Sequence, residues 1–314
     1  MYGLIYRIYF ILKRKQKKKK EKNKDTGFII QKLLDRIEWY YNILIKEKYE
    51  KCSIPENILE KKERKERIII SLTSYPKRIG DVWITIETLL RQTVKPDMII
   101  LWLADTQFNG IESLPKKLID LQKSGLTIRF CKDLKSHKKY FYTMQEYPED
   151  LIILVDDDMF YPYDMIEKLL KLHYEYPQDI CTMTAQVIGD DITVVPSKWK
   201  NPDLSQKYQH STKLQIFTGS GSLYPPNSLN AQAFNEEVMK ELCPYADDLW
   251  LTFMAKLNGT KVTTQYPWRA FPITIYGSGI GSLYYINAEE GQNDIQWKAL
   301  LNYFKEQLGE VEYE

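Results

Sequence analysis

Residues 151–158, Leu-Ile-Ile-Leu-Val followed by Asp156-Asp157-Asp158, constrain this chain more than any other stretch. Five consecutive apolar residues describe a strand covered on both faces, since a half-exposed strand alternates apolar with polar. Three carboxylates follow where such a strand leaves its sheet. In open α/β sheets, ligands bind outside the carboxyl ends of the strands. Like charges a few ångströms apart repel unless a cation neutralises them. A hard divalent cation suits this cluster, because Mg2+ takes one or two carboxylates together with substrate phosphates. An acidic turn capping the next helix is the plainer alternative.

The rest of the pattern supports a parallel sheet. Residues 67–72, 98–103, 126–131 and 151–155 are short apolar runs with the character of strands. Between them lie helical stretches. Asp81 can cap one running to about residue 92, Ser113 with Pro115 in the first turn opens a second, and residues 136–147 form a third that Pro148 closes. A last helix is expected over Ile295–Leu308. Strands alternating with helices define an α/β fold with a mainly parallel sheet. No period of about 20–50 residues recurs, which excludes a solenoid. Ahead of the sheet, residues 28–50 carry apolar groups at 30, 33, 34, 37, 40, 41 and 44, a helical spacing that predicts a linker or packing helix. Residues 61–67 form a charged connector. The expected organisation is a tail over 1–24, a helical linker over 25–66 and the main domain over 67–314.

Composition narrows the function. At 314 residues, 44% hydrophobic and 13% aromatic, the chain can bury a substantial core. Its four cysteines (52, 131, 181, 243) are scattered, which argues against a disulfide framework or a zinc site and fits a reducing compartment. With three histidines (137, 173, 210), a His-rich metal centre is not expected. The net charge of +2 is unevenly spread: residues 13–24 hold nine basic residues and one acid, a local +8, so the remainder is near −6. Residues 1–12 are apolar and aromatic, too short to span a bilayer, which takes about 20 residues. An apolar segment followed by a lysine run has the order of an anchor on an anionic cytoplasmic leaflet, with a solvated basic tail as the alternative. No nucleic-acid-binding signature accompanies the basic run, so no nucleic-acid partner is expected.

Three other groups of residues carry chemistry. Thr73-Ser74-Tyr75-Pro76-Lys77-Arg78 ends the first strand with hydroxyls, a ring and two cations, suited to a nucleotide or to an ordinary proline turn. Asp133-Leu-Lys-Ser-His-Lys-Lys-Tyr140 places lysines at a helix start, where phosphate is favoured. Cys243-Pro-Tyr-Ala-Asp-Asp-Leu-Trp250 sets Asp247 and Asp248 at a helix start before an apolar face (Leu249, Trp250, Phe253, Leu257). One Asp suffices for a cap, leaving the other for general-base work.

With the glycine-containing Thr218-Gly-Ser-Gly-Ser-Leu-Tyr-Pro-Pro226, these stretches occur in the order seen in bacterial glycosyltransferases of the GT-A fold, loosely related to glycosyltransferase family 2, which residues 67–305 resemble. The resemblance implies a Rossmann-like sheet flanked by helices, with the helical and basic N-terminal extension outside it. It implies a nucleotide-diphosphate sugar donor and a DxD motif holding Mn2+ or Mg2+. Asp158 would be the main metal ligand, with Asp156 on the metal and on the donor's ribose or sugar, and Asp157 supporting both. Thr73, Ser74, Tyr75 and Arg78 would line the nucleotide site, with Asp133 near the base and Lys139 near the base or the diphosphate. Gly219, Ser220 and Gly221 would form a loop against sugar or acceptor. Asp248 would take the proton of a hydroxyl on a glycan or lipid-linked acceptor, with Asp247 beside it, and a single carboxylate base favours inversion. Such enzymes build bacterial surface polysaccharide, so the expected location is cytoplasmic, either free or, through residues 1–24, peripheral on the cytoplasmic face of the inner membrane.

The chain departs from that family in two places. No His follows residue 210 to serve as a further metal ligand, and Ser220 stands where another glycine is expected. A later segment, Gly277–Tyr284 and Gly291–Asp294, is either a cover for the site or a plain loop. Two other functions remain open: a nucleotidyltransferase forming a nucleotide-sugar, which usually carries a glycine-rich basic loop after its first strand, and a non-catalytic membrane-surface protein.

Overall fold

The computed structural model describes residues 5, 8–9, 11–13, 15, 24–52, 54–60, 63–199, 210–264, 272–278, 283, 287 and 290–311. In chain order, helix α1 spans Lys24–Lys51, β1 Ile68–Thr73, α2 Val82–Leu90, β2 Met98–Ala104, α3 Lys116–Asp120, β3 Leu126–Cys131, α4 Lys138–Glu146, β4 Leu151–Leu154 and β5 Met159–Phe160. Then come α5 Met165–Glu175, β6 Ile180–Thr182, β7 Ala185–Val187, β8 His210–Ser211, β9 Leu214–Ile216, β10 Ser222–Tyr224, α6 Glu236–Leu242 and α7 Asp247–Leu257. The chain closes with β11 Val262–Thr263, β12 Ile273–Thr274, α8 Gln292–Tyr303 and α9 Lys305–Val311.

Eight strands form one sheet in the order β3-β2-β1-β4-β10-β6-β11-β8. The β3, β2, β1 and β4 neighbours pair parallel, as do β6 and β11. β10 runs antiparallel to β4 and β6, and β8 antiparallel to β11. This is the α/β class with a mainly parallel, Rossmann-like sheet flanked by helices that the sequence predicts. Strand periodicity assigns its two faces. Ile68, Ile70, Leu72, Leu151, Ile153 and Val155 join one core with residues of α1, α2 and α5. Ile69, Ile152 and Leu154 join the other with residues of α4, α6, α7 and α8.

The order of the sheet fixes where a site can form. From β1 the chain moves outward to β2 and β3, then returns to place β4 on the other side of β1. Connections diverge there, opening a crevice beyond the carboxyl ends of β1 and β4. Because β10 is antiparallel to β4, with Ser222 opposite Leu154, the loop before β10 arrives at the same edge.

Several local expectations are corrected. Asp81 precedes α2 but makes no side-chain cap, and its carboxylate takes Lys46 instead (3.2 Å). Ser113 does not open a helix: it ends a short 3-10 turn and bonds back to Gly110 O, and α3 starts after Pro115. The helix expected from 136 begins at Lys138 after a 3-10 turn over 135–137. The last helix is two, α8 and α9. α1 packs on the sheet domain, with Leu34, Tyr41 and Ile45 buried in its core. All four cysteines are free thiols. Among the described residues no helix is long and apolar enough to cross a membrane. The expected tail, residues 1–24, lies largely outside the described residues. Tyr9 is described and buried, its hydroxyl donating to Glu38 on α1.

Candidate active site

Five carboxylates and two cations gather beyond the carboxyl ends of β1 and β4. Ser74, just past β1, donates its hydroxyl to Asp157 Oδ2 (2.6 Å), spanning the crevice. Four residues on, Arg78 pairs with Asp157 Oδ1 (2.7 Å) and Asp158 Oδ2 (3.0 Å), and its Nη2 also donates to Ser278 O (2.9 Å). Its guanidinium lies over the Tyr75 ring (5.6 Å). Thr85 of α2 braces the acidic turn, its hydroxyl on the carbonyls of Asp157 (2.9 Å) and Met159 (3.1 Å). β12 closes against β5, and Ile275 N bonds to Asp158 O (2.7 Å).

The second cation is Lys139, in the first turn of α4 and 1% exposed. Its ammonium contacts Asp156 Oδ1 (2.6 Å) and Asp247 Oδ2 (2.8 Å), tying the β4 turn to the start of α7. Neither Asp247 nor Asp248 makes a side-chain cap on α7, whose N-cap position is Ala246. Thr218 binds both instead: its hydroxyl reaches Asp247 Oδ2 (3.0 Å) and Asp248 Oδ1, and its N–H donates to Asp248 Oδ1 (2.9 Å).

The loop over 218–221 is shaped by close approach. A Cβ on Gly219 would stand 2.1 Å from Asp156 Oδ2, so only glycine leaves room for that carboxylate. Gly221 has φ +99°, a conformation L side chains rarely adopt, and a Cβ there would meet Met165 Sδ at 2.5 Å. Ser220, where another glycine was expected, keeps the turn closed by donating to Phe217 O (2.8 Å).

Electrostatics follow from burial and charge surplus. Burial pushes Asp158 up to about 7, Asp157 and Asp156 adding to the effect and Arg78 opposing it. Burial and then Asp247 push Asp248 up to about 7, against the pull of Lys139. Asp247 goes the other way: burial would raise it, but Lys139 and His137 hold it down at about 2. Burial alone would lower Lys139, yet Asp156, Asp247 and Asp248 outweigh it and raise its proton affinity.

Asp133, expected near a base, pairs with Lys138 (2.6 Å), Lys135 N (2.9 Å) and Gln107 (2.9 Å) in a separate cluster. Lys139, expected near base or diphosphate, is engaged inside. Thr73 spends its hydroxyl on Trp102 O (2.8 Å). Of the segment expected to close over the site, residues 279–282 and 284 lie outside the described residues. Sequence reasoning missed Tyr161, whose hydroxyl accepts from Asp156 N (2.8 Å) and donates to Gly219 O (2.7 Å), locking the glycine loop to the acidic turn. It gave no separate role to Thr218, though the quoted glycine motif contains it. A cavity of about 620 Å3 lined by Glu66, His173, Asp179, His210 and Lys261 lies at the amino ends of β6 and β11, away from this chemistry.

A divalent cation, implied by the resemblance, can be tested against these residues. Five carboxylates against two cations leave three negative charges uncompensated if all are ionised. Asp156 and Asp158 offer the hard oxygen ligands Mg2+ and Mn2+ favour. The Asp156 side chain is 38% exposed and open to a ligand. Among the described residues no three Asp, Glu, His or Cys groups come together as a metal site, and Lys139 and Arg78 now occupy one oxygen each of Asp156 and Asp158, leaving their other oxygens for a cation that also takes substrate phosphate. Arg78 Nε, buried, has no partner among the described residues, leaving one donor for an oxygen acceptor. The residues fit the group.

No protein-family model matches the chain, and no curated protein sequence does. Solved structures resemble it at a distance. A mannosyltransferase from Pyrobaculum calidifontis in complex with GDP-Man and Mn2+ aligns with 73% of this chain at 11% identity and a TM-score of 0.41. This chain covers 62% of that protein's length, less than two thirds. A 4-diphosphocytidyl-2C-methyl-D-erythritol synthase aligns with 68% of this chain and 94% of its own (11% identity, TM-score 0.43). A CMP:2-keto-3-deoxy-manno-octonic acid synthetase complexed with CTP aligns with 72% of this chain and 99% of its own (13% identity, TM-score 0.39). Likenesses this remote bear on no step of the chemistry; the sheet and its strand-end acids define an α/β protein with a polar site at a topological switch point.

Proposed function

We propose that this protein is a metal-dependent glycosyltransferase that moves a sugar from a nucleotide-diphosphate donor to a hydroxyl of a glycan or lipid-linked acceptor. The observation that carries the reading is the linkage of two acidic groups at one strand edge: Asp156–Asp158 beyond β4, joined through Lys139 to Asp247 and Asp248 at the start of α7. One group suits a donor's diphosphate, the other an acceptor's proton.

Asp158 and Asp156 would hold Mn2+ or Mg2+, which when bound stabilises negative charge on the leaving diphosphate as a Lewis acid. Arg78, fixed by Asp157 and Asp158, adds positive charge on the same side, its Nε available to an oxygen. Ser74, Tyr75 and Thr73 line the nucleotide side, and Gly219 to Gly221 the sugar side. On the acceptor side, Asp248 takes the hydroxyl proton as that oxygen bonds to the anomeric carbon. The anomeric carbon–phosphate oxygen bond breaks, and the electron pair leaves with the nucleoside diphosphate. Asp248, pushed up to about 7, has a proton affinity suited to a base near neutral pH. Thr218 fixes its orientation, and Asp247, kept ionised by Lys139, helps hold its proton affinity up. A base on the face opposite the leaving group gives inversion. Surface polysaccharide synthesis at the cytoplasmic face of a bacterial inner membrane, with residues 1–24 on anionic lipid, is the setting this reading implies.

The test is a panel of nucleotide-sugars with Mn2+ and a mixture of glycan acceptors, scored by the phosphate product. Glycosyl transfer releases a nucleoside diphosphate. Inorganic pyrophosphate formed from a nucleoside triphosphate and a sugar phosphate would instead establish a nucleotidyltransferase and refute the proposal.

A further inference from the structure

α1 has two faces of opposite character. Leu34, Tyr41 and Ile45 are buried in the core, with Ile30 and Ile37 packed against it. Phe28, Ile29, Leu33, Trp39 and Tyr40 are instead between 45% and 67% exposed. At about 100° per residue, these five fall within an arc of ~140°, away from the buried stripe. Lys32 and Arg36 are exposed in the same arc, and Lys32 Nζ lies over the Phe28 ring (4.6 Å). Asp35 and Glu38, the acids between residues 28 and 40, fall outside it; Asp35 accepts from Gln31 (2.7 Å) and Glu38 from Tyr9, while Glu47 and Glu50, further along α1 and back in the arc, pair with Lys51 (3.9 Å) and Lys117 (2.5 Å). Aromatic and aliphatic groups interleaved with basic ones on one helix face are the composition of an interfacial membrane helix. The chain segment entering this helix, residues 13–24, carries the local +8. That charge, adjoining the apolar face in sequence, is complementary to an anionic lipid surface.

We infer that the face of α1 formed by Phe28, Ile29, Leu33, Trp39 and Tyr40 docks on an anionic bilayer, with the basic run beside it on the headgroups. This extends the apolar contact from residues 1–12, where Ile8 and Ile11 are themselves 42% and 55% exposed, onto α1. Tyr9 is 1% exposed and bonded to Glu38, so at that position the tail's apolar group is turned inward. The opposite side of α1 is fixed to the candidate active site. Tyr41 meets Phe160 edge to face (5.3 Å), two residues past Asp158. Asn42 binds Thr274 O (3.3 Å) and Tyr276 N (2.9 Å), on the segment whose Ile275 bonds to Asp158 O. A bilayer under α1 therefore holds the mouth of the site at a set distance from lipid. The inference concerns lipid binding alone and needs no particular reaction.

Flotation with vesicles of phosphatidylglycerol and phosphatidylcholine, against phosphatidylcholine alone, tests it on the full chain. The native protein floats with the anionic vesicles. The variant Ile29→Glu/Leu33→Glu/Tyr40→Glu, altered only at exposed positions and with its basic run intact, binds at least tenfold more weakly and keeps the native circular dichroism. If that variant unfolds, Leu33→Ser/Tyr40→Ser replaces it, with the same loss of binding expected. Binding by a folded variant equal to the native protein's overturns the inference, because lysines alone then suffice. So does failure of the native protein to float, or a concentration-dependent dimer in lipid-free solution that the substitutions abolish, which would assign the face to a second copy of the chain.

Discussion

Replacing Lys139 by methionine is the sharpest perturbation this site offers. The side chain is buried and its ammonium serves two carboxylates from different elements, Asp156 and Asp247. Methionine fills nearly the same volume, so the packing change is small and the lost charge dominates. Removing one partner of a buried ion pair costs about 3–5 kcal/mol, because the remaining charge stays desolvated and unpaired. For a domain of this size, each kcal/mol shifts the melting temperature by about 2–4 °C, so the expected drop is roughly 6–20 °C. The pH dependence separates this cause from simple misfolding. Asp247 is held at about 2, below the usual carboxylate value of 3.8. Its stabilisation is present above that ordinary value and is lost as pH falls through the folded one. The gap between native and Lys139→Met proteins is therefore full at pH 7 and narrows as pH falls from about 4 toward 2. Denaturant unfolding at a series of pH values reads both quantities. A loss under about 1 kcal/mol at pH 7, or a gap that does not narrow in acid, would refute the account of Lys139 as the bridge.

Gly219→Ala should push the Asp156 carboxylate off Lys139, because its Cβ would lie 2.1 Å from Asp156 Oδ2; overpacking of this kind costs about 1–3 kcal/mol, and an unchanged melting temperature counts against it. Asp158→Asn should abolish metal-dependent turnover while the protein stays folded, with the loss in kcat, and full activity across a Mn2+ titration would sink the metal assignment. Asp248 gives opposite pH trends in rate and stability. Its folded value, raised to about 7, means the base form accumulates as pH rises through 7, so turnover rises there. The stability contributed by its neutral form is complete below the ordinary carboxylate value and is lost as pH rises through 7, and Asp248→Asn should remove both trends. Melting temperatures and initial rates from pH 5 to 8 check this, and a rate profile unchanged in the Asn variant would place the base elsewhere.

What was legible in the sequence was what short-range pattern encodes. Five apolar residues before three acids are enough to put Asp156–Asp158 at the end of a buried strand, and a helix-start pattern is enough for Asp247 and Asp248. The sheet order then brings them together. Local pattern made Lys139 legible only as a basic residue near a helix start, the usual mark of a solvated position, and the resemblance placed it near the base or the diphosphate. Its burial depends on Asp156 and Asp247, 17 and 108 positions away, converging on it, which no local pattern records. Thr218 is a small polar residue in a glycine loop and Tyr161 one aromatic among many in the sequence, and they become cross-links only when the β10 loop lies on the β4 turn. The expected caps failed for a related reason. Asp81 and Asp247 have the right type at the right place, but Lys46 and Lys139 offer them ionic partners that compete with a backbone N–H.

Burial raises Asp158, Asp248 and also Asp157, and the two cations oppose that rise unevenly. Arg78 is shared by Asp157 and Asp158, and Lys139 directly contacts Asp156 and Asp247. Asp248 has Thr218 but no cation in direct contact among the described residues, and Asp158 has Arg78 only in common with its neighbour. These are the two groups pushed up to about 7. One lies on the side read as donor, the other on the side read as acceptor, and Asp156 raises both. Positive charge arriving at Asp156 would therefore weaken its push on Asp248 as well as on Asp158.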